Sequence, residues 1–319
     1  MPITSSVAAP LVLVVGATGN QGGSVIQALA ESGRPYRIRG LTRDVTKPAA
    51  QRLTNQGVEM VNVSLTVENE GGVKAAFTGA NIAFIVTNFW EHMDTKREVA
   101  EGKMLVDAAL GAGVQLLVWS GLEPVSEISK GKYHEASQFD GKAEITNYAR
   151  QSGIDLLVVE AGWYGTNHMH NNVAFIPQKE ADGSYALRLP VKADTVLPVI
   201  DVVRDYGLFV RKGIESPAFG AGTEVLASGE DISLGQMMSQ LSQITGKHVS
   251  YKQISDEEFM AATKAPPRIA LELLHMMKFY EEFGYFNGKD TKPSRQHLTR
   301  EPKNWADFVR VNDWSSILV

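Results

Sequence analysis

The sequence predicts an α/β protein, with a doubly wound parallel sheet of Rossmann type followed by a smaller mixed α/β lobe. Two observations predict this class. A glycine-rich junction joins an apolar strand to a helix near the N-terminus, and strand and helix patterns alternate through roughly the first half of the 319 residues. We expect the Rossmann domain over residues 1–162 and the smaller lobe over residues 163–319, with some later segments returning to the sheet.

The glycine-rich junction spans Leu11 to Gly23. It opens with an unbroken run of Leu and Val, as expected for a strand buried on both faces of a parallel sheet. After the glycines, Ser24 to Ala30 continues with the apolar spacing of a helix. A strand, a glycine loop and a helix in this order are typical of the phosphate-binding turn of dinucleotide-binding proteins.

Three glycines in this junction fall three residues apart, and each meets a separate requirement. Gly16 permits the tight turn out of the strand, and Gly19 lets the backbone come close to a pyrophosphate. Gly22 lets the helix pack on the strand, and the N-terminus of that helix offers N–H groups to the phosphate charge. We therefore expect a cofactor to bind at Gly16, Thr18, Gly19, Asn20, Gln21 and Gly22.

The segment after the second predicted strand indicates which dinucleotide binds. That strand runs from Tyr36 to Leu41, and no acidic residue stands at its tip to accept hydrogen bonds from the ribose 2′-hydroxyl of NAD. Arg43 comes just past the tip, where a guanidinium suits the 2′-phosphate of NADP, and Lys47 adds a second positive charge. Asp44 is expected to cap the following helix. The predicted cofactor is NADP(H).

The next predicted elements continue the alternation of a parallel sheet covered by helices on both faces. They are helix Thr46–Asn55, strand Glu59–Val63, helix Glu68–Phe77, strand Ile82–Thr87, helix Thr95–Leu110, strand Gln115–Trp119, helix Gln138–Ser152 and strand Asp155–Glu160. Ligands of such sheets bind beyond the carboxyl ends of the strands. We therefore expect Thr87 and Asn88 to contact the cofactor. Trp90, Trp163 and Tyr164 are expected to wall a substrate pocket.

The pattern changes after Trp163, and the predicted elements there form the mixed lobe. They are strand Val196–Val199, a helix capped by Asp201 and ending near Lys212, strand Glu224–Ala227, helix Ser233–Thr245, strand His248–Gln253, helix Ser255–Thr263 and helix Arg268–Phe283. His168 and His170 stand two residues apart beside Asn171 and Asn172, without a third ligand or a carboxylate in register. No metal site is expected, and the substrate pocket is expected between the lobe and the sheet.

Composition argues against several classes of function. The net charge of −5 and the lack of a clustered basic stripe disfavour direct nucleic-acid binding. No apolar run approaches the ~18 residues of a membrane span, so no membrane partner is expected. With no cysteine there is no disulfide, thiol nucleophile or thiolate metal site, which favours an intracellular protein. We expect a cytoplasmic location, with a nuclear one left open.

Several stretches together match the pattern of one family. They are residues 16–22 (Gly-Ala-Thr-Gly-Asn-Gln-Gly), Leu41-Thr42-Arg43, residues 84–91, Trp119-Ser120-Gly121-Leu122-Glu123 and residues 139–144. The chain resembles the NmrA-like family of atypical short-chain dehydrogenases. Members include NADPH-sensing regulators, a transcriptional co-regulator of fungal nitrogen metabolism and NADPH-dependent reductases. The resemblance implies a Rossmann fold that binds NADP(H), without deciding between regulator and reductase.

The catalytic pattern of the family's ordinary relatives is incomplete in this chain. Short-chain dehydrogenases place a Tyr four residues before a Lys. The phenol exchanges a proton with the substrate, and the ammonium lowers the pKa of the phenol and binds the nicotinamide ribose. Lys142 matches this Lys, but Gln138 stands where the Tyr would be and cannot act as an acid. Leu122 aligns with the usual catalytic hydroxyl residue.

Two functions therefore stay open at this level. In the first, which the missing Tyr favours, Lys142 only holds the ribose and the protein senses the NADPH/NADP⁺ ratio, signalling to a regulatory protein partner. In the second, the protein reduces a small carbonyl, quinone or enone substrate, with Lys142, Tyr133, His134 or Tyr164 as proton donor. A reductase predicts an aromatic pocket beside the cofactor, whereas a regulator predicts an exposed apolar patch on the lobe.

Overall fold

The computed structural model describes residues 3–170, 173–216 and 223–319. Thirteen strands occur in these ranges: β1 (Leu11–Val14), β2 (Arg37–Thr42), β3 (Glu59–Asn62), β4 (Ile82–Ile85), β5 (Leu116–Trp119), β6 (Leu156–Ala161), β7 (Trp163–Tyr164), β8 (Gln178–Lys179), β9 (Tyr185–Leu189), β10 (Val196–Ile200), β11 (Glu224–Ala227), β12 (Glu230–Ser233) and β13 (Val249–Gln253).

The same ranges contain thirteen α-helices. They are α1 (Asn20–Ala30), α2 (Pro48–Asn55), α3 (Glu70–Phe77), α4 (Phe89–His92), α5 (Thr95–Gly111), α6 (Val125–Ile128), α7 (Ser137–Gln151), α8 (Tyr206–Glu215), α9 (Leu234–Thr245), α10 (Asp256–Ala262), α11 (Pro267–Phe283), α12 (Lys292–Arg295) and α13 (Trp305–Val311). None of these helices is long and apolar enough to cross a membrane.

Seven strands form a central parallel sheet in the order β11-β6-β5-β4-β1-β2-β3. All four residues of β1 are buried, and Val12 pairs with Ile38 of β2 on one side and Ile82 of β4 on the other. Its run of Leu and Val thus fills the middle of the sheet with apolar side chains on both faces. The predicted doubly wound fold is confirmed.

The C-terminal half adds two three-stranded sheets, β12-β10-β7 and β13-β9-β8. Their apolar faces share a core with α9, α11 and α13, separate from the two apolar layers on the faces of the central sheet. β11 and α8 also come from the C-terminal half, but they join the central sheet and its helix layer. The division at residues 162 and 163 stays a prediction.

Most predicted elements are present with ends shifted by one or two residues. Two capping assignments were wrong. α2 begins after Lys47, not Asp44, whose carboxylate instead accepts hydrogen bonds from the backbone N–H and hydroxyl of Thr46. α8 begins after Asp205, because a turn closed by Asp201 precedes the helix. The strands β7, β8, β9 and β12 were not predicted; β7 and β8 are only two residues long, too short to show periodicity.

α1 packs tightly against α8 on one face of the central sheet. A Cβ atom at Gly207 would lie 2.0 Å from the carbonyl oxygen of Ser24, so only glycine fits this crossing. The backbone N–H of Gly207 donates to the Ser24 hydroxyl at 2.9 Å in the buried contact. This crossing positions α1, whose N-terminus faces the carboxyl ends of the strands.

Replacing Gly207 with Ala should separate the two helices and lower the free energy of unfolding by about 1–3 kcal/mol. The matched control is Gly71→Ala in α3, because a Cβ atom there would meet nothing within 4 Å. That control should raise stability by about 0.5–1 kcal/mol through helix propensity. Urea unfolding of both variants measures the difference, and equal effects would contradict the steric argument.

Candidate functional site

The glycine loop between β1 and α1 has the predicted geometry. Gly16 has a φ of +67°, in the left-handed region that favours glycine, which confirms the tight turn. A Cβ atom at Gly22 would lie 2.2 Å from the carbonyl oxygen of Gly16, so the helix could not sit so close to the loop with any other residue there. The residue before α1 is Gly19, so no side chain caps the helix and its first N–H groups stay available to an anion.

A cleft of about 980 Å³ opens at the carboxyl ends of the central strands, next to this loop. Nearly every residue predicted for the site lines it. These residues are Gly16, Thr18, Gly19, Asn20, Gln21, Gly22, Arg43, Lys47, Thr87, Asn88, Trp90, Lys142, Trp163 and Tyr164. Residues from α7 and α11 complete the walls, so the cleft lies between the sheet and the lobe, where the sequence placed it.

Tyr133 is the predicted site residue that the structure places elsewhere. Its hydroxyl donates to the Glu282 carboxylate at 2.6 Å, at the end of α11, and the residue does not line the cleft. The neighbouring His134 packs edge-to-face on His275 and hydrogen-bonds the Gly131 carbonyl at 3.1 Å. Neither side chain faces the site, because the segment before α7 turns toward α11. Their suggested role as proton donors therefore has no structural support.

Arg43 stands at one end of the cleft with 68% of its side chain exposed. Its guanidinium forms an ion pair with Glu91 of α4. Lys47 lies at the N-terminus of α2 and also lines the cleft. Two cations thus face the space where the loop after β2 meets the turn after β4.

Lys142 lies in the first turns of α7, one turn after Gln138. Its side chain is 11% exposed and forms an ion pair with Glu98 of α5, whose side chain is 3% exposed. The ammonium also donates to the hydroxyl of Thr87 at 3.1 Å and to the Thr87 carbonyl at 3.4 Å. The ammonium, which has three N–H donors, thus has three acceptor atoms within hydrogen-bond distance, of which the Thr87 carbonyl is the farthest.

Glu98 was not predicted, because an acidic residue within a helix gives no functional signal by itself. The one local hint is Gly141, next to Lys142. A Cβ atom at Gly141 would lie 3.2 Å from the outer carboxylate oxygen (Oε2) of Glu98, so glycine there lets α5 and α7 approach closely. The Thr87 hydroxyl donates to Glu98 at 2.6 Å, which joins the end of β4 to the same buried group.

A second buried carboxylate supports the start of α7. Glu272 of α11 accepts a hydrogen bond from the backbone N–H of Gln138 at 3.1 Å, in place of a cap from the helix's own sequence. Burial raises the pKa of Glu272 to about 7. The amide of Gln138 donates to the sulfur of Met276 at 3.2 Å, so Gln138 is held as part of the wall.

Tyr164 connects the glycine loop to the lobe. The side-chain amide of Gln21 donates to the Tyr164 hydroxyl oxygen at 2.6 Å. Burial raises the pKa of Tyr164 to about 12, against a smaller lowering by the Gln21 hydrogen bond, so the phenol is protonated at neutral pH. Within the described ranges, the Gln21 amide is the one hydrogen-bond partner of the Tyr164 hydroxyl.

The inner part of the cleft is aromatic. Its walls include the buried rings of Phe139, Trp163, Phe175, Tyr280 and Tyr285. The Tyr285 hydroxyl donates to the carbonyl of Ala161 at 3.0 Å. This arrangement offers an apolar surface that suits flat molecules, with few polar groups.

His168 belongs to the core behind this wall. The Trp163 indole N–H donates to His168 Nε2 at 3.1 Å, and His168 Nδ1 contacts the Phe175 carbonyl at 2.8 Å. Burial lowers the pKa of His168 to about 4, so the ring is neutral at pH 7. No cluster of metal-ligating side chains occurs in the described residues, and Asn171 and Asn172 lie outside them.

A model of the NmrA-like family matches residues 9–309. The chain belongs to the NmrA-like family. Among relatives of this family, the NmrA-like family domain-containing oxidoreductase cpsB of Aspergillus campestris is 31% identical over 258 residues, covering 76% of this chain and 74% of the relative. The resemblance predicted from the motifs is confirmed.

Solved structures agree with the NmrA-like fold. NmrA, a negative transcriptional regulator, has been solved with NAD (TM-score 0.81) and with NADP (TM-score 0.80), at 23% identity and 95% coverage of both chains. The NADPH-dependent quinone oxidoreductase QOR2 of Escherichia coli, complexed with NADPH, matches with a TM-score of 0.74 at 20% identity. The match covers 94% of this chain and 98% of the QOR2 chain.

Replacing Glu98 with Gln should leave the Lys142 ammonium buried without a counter-ion. We expect the free energy of unfolding to fall by about 3 kcal/mol, as when one partner of a buried ion pair is removed. The matched control is Glu70→Gln, which breaks the exposed Glu70–Lys74 pair and should cost less than about 0.5 kcal/mol. Chemical denaturation measures both, and a stable Glu98→Gln variant would show that the Lys142 charge is not confined as described.

Proposed function

We propose that this protein is an NADP(H)-dependent reductase of a planar, largely apolar carbonyl, quinone or enone compound. The observation that carries the proposal is the continuity of the cleft, which runs from the glycine loop into a buried aromatic pocket. A protein that only bound a dinucleotide would not need that second compartment. The oxidoreductase names of relatives and the NADPH complex of QOR2 support the same function.

The residues of the cleft fit an NADP(H) molecule. The uncapped N-terminus of α1 would bind the pyrophosphate. Because Gly22 has no Cβ atom, the helix lies close enough to the glycine loop for both to contact the phosphates. Arg43 and Lys47 would hold the 2′-phosphate, while Thr87, Asn88 and Lys142 would face the nicotinamide ribose. Bound NADPH would supply the hydride.

The substrate would lie against the aromatic walls, where Trp163 and Tyr164 stand next to the loop. Of the four residues that the sequence suggested as proton donors, Lys142 and Tyr164 line the cleft. The Lys142 ammonium is paired with the Glu98 carboxylate and Thr87, whereas the Tyr164 hydroxyl contacts only the neutral amide of Gln21 among the described residues. We assign proton donation to Tyr164. Lys142 would hold the ribose by giving up its long 3.4 Å contact with the Thr87 carbonyl in exchange for a ribose hydroxyl.

Sensing of the NADPH/NADP⁺ ratio is the second candidate function. The observation in its favour is Gln138, which stands one turn before Lys142. Ordinary short-chain dehydrogenases have their catalytic Tyr at this position, and α7 does not supply one there. A regulator would also need a surface for a protein partner. In residues 163–170, 173–216 and 223–319 the exposed large apolar side chains are all valines, without the aromatic anchors typical of binding hot spots.

A turnover screen separates the two functions. Purified protein is mixed with NADPH and with menadione, 9,10-phenanthrenequinone or an aromatic enone, and the loss of absorbance at about 340 nm is followed. A reductase should consume NADPH with at least one probe, and Tyr164→Phe should lower kcat more than tenfold while NADP⁺ affinity stays unchanged, as expected for a lost general acid. Tight NADPH binding without turnover of any probe would favour the sensor.

Replacing Arg43 with Ala should weaken NADPH binding at least tenfold and leave NADH binding almost unchanged, because only NADPH carries the 2′-phosphate. Isothermal titration of nucleotide-free protein with both cofactors measures the two affinities. Arg37→Ala is the control, because that side chain donates to the Ala9 carbonyl and does not line the cleft. Equal losses for both cofactors in Arg43→Ala would contradict the assignment of Arg43 to the phosphate.

A further inference from the structure

The ion pair between Arg43 and Glu91 brings together two distant parts of the chain at one end of the cleft. Arg43 follows β2, and Glu91 belongs to α4, which follows β4. The two strands flank β1 on opposite sides, so their carboxyl ends lie close together. Glu91 therefore supplies a carboxylate beside the position where the sequence shows no acid at the tip of β2.

The Glu91 carboxylate is paired with the Arg43 guanidinium, the same group that the proposed function assigns to the 2′-phosphate. Both side chains line the cleft, with 34% of Glu91 and 68% of Arg43 exposed. An ion pair this exposed is weak, so a phosphate can replace the carboxylate on Arg43. Glu91 would nevertheless stay near the phosphate, because its side chain lines the same end of the cleft as Arg43. Two anions would then face one guanidinium.

The same carboxylate has the opposite effect on a cofactor without the phosphate. NAD(H) has a free 2′-hydroxyl, and a carboxylate next to the ribose can accept a hydrogen bond from it. Arg43 would still balance the charge of Glu91 in that complex. The single side chain thus disfavours one cofactor and favours the other.

We propose that Glu91 is a specificity-determining residue of the cofactor site, which lowers the preference for NADP(H) that Arg43 and Lys47 create. This role rests on the proposed function, since it requires that the cleft binds the dinucleotide. The role of Glu91 predicts that the natural protein accepts both NADP(H) and NAD(H). Its preference for NADP(H) should be smaller than Arg43 and Lys47 would give without Glu91.

The test is isothermal titration of wild type and Glu91→Gln with NADP⁺ and NAD⁺ at one fixed ionic strength. The amide keeps the size of the side chain and removes its charge. NADP⁺ should bind about tenfold more tightly to the variant, because a unit charge close to a phosphate dianion is removed in a partly exposed site. NAD⁺ should bind with equal or lower affinity, so the NADP⁺/NAD⁺ preference should rise.

A matched control separates a local effect from a change in the charge of the whole cleft. Glu101→Gln removes one carboxylate that also lines the cleft, but Glu101 pairs with Arg97 and not with Arg43. It should change the affinities for NADP⁺ and NAD⁺ by similar factors. If Glu91→Gln changes the NADP⁺/NAD⁺ preference by the same factor as Glu101→Gln, the specificity role of Glu91 is overturned.

The experiment also distinguishes failure of this inference from failure of the proposed function. If wild type binds NADP⁺ and the Glu91→Gln variant shows an unchanged NADP⁺/NAD⁺ preference, only the specificity role of Glu91 is overturned. If wild type binds neither nucleotide, the cofactor assignment itself is wrong, and the role of Glu91 is overturned with it. Matching thermal unfolding curves for both proteins establish that the comparison concerns binding and not folding.

Discussion

The site depends on how closely α1 approaches the backbone around it. Gly22 lets the first turn of the helix lie against the Gly16 carbonyl, and Gly207 lets α8 press on the helix from the other side at Ser24. Each contact leaves no room for a Cβ atom. The position of the α1 N-terminus is therefore fixed by backbone packing rather than by flexible side chains, as anion binding to backbone N–H groups requires.

The polar groups of the cleft are held by partners from other elements. Glu98 and Thr87 confine the Lys142 ammonium, and Gln21 holds the Tyr164 phenol. A buried ion pair gains little net stability, because removing its charges from water costs about as much as their attraction returns. We interpret the Glu98–Lys142 pair as an interaction that orients α7 relative to the end of β4. Because the ammonium is engaged in this pair, we do not assign the proton donation to Lys142.

The sequence was sufficient for those parts of the site that local rules decide. A Leu-Val strand, glycines at fixed spacing and a helix in succession predict the loop, and the rule on strand ends predicts the place of Thr87 and Trp163. The carboxylate partners were not predictable in this way. Glu91 pairs with Arg43, and Glu98 with Lys142, only through the packing of α4, α5 and α7, which the residues next to these carboxylates do not determine.

The position of Tyr133 outside the cleft has the same origin. Its position shortly before Lys142 suggested that it could reach the site, but the segment turns toward α11 and the phenol meets Glu282. The most direct test of the account is a crystal structure of the protein with NADP⁺. We expect the pyrophosphate at the α1 N-terminus and the nicotinamide at the mouth of the aromatic pocket, facing Trp163. A nucleotide bound away from the glycine loop, or with its nicotinamide outside that pocket, would contradict it.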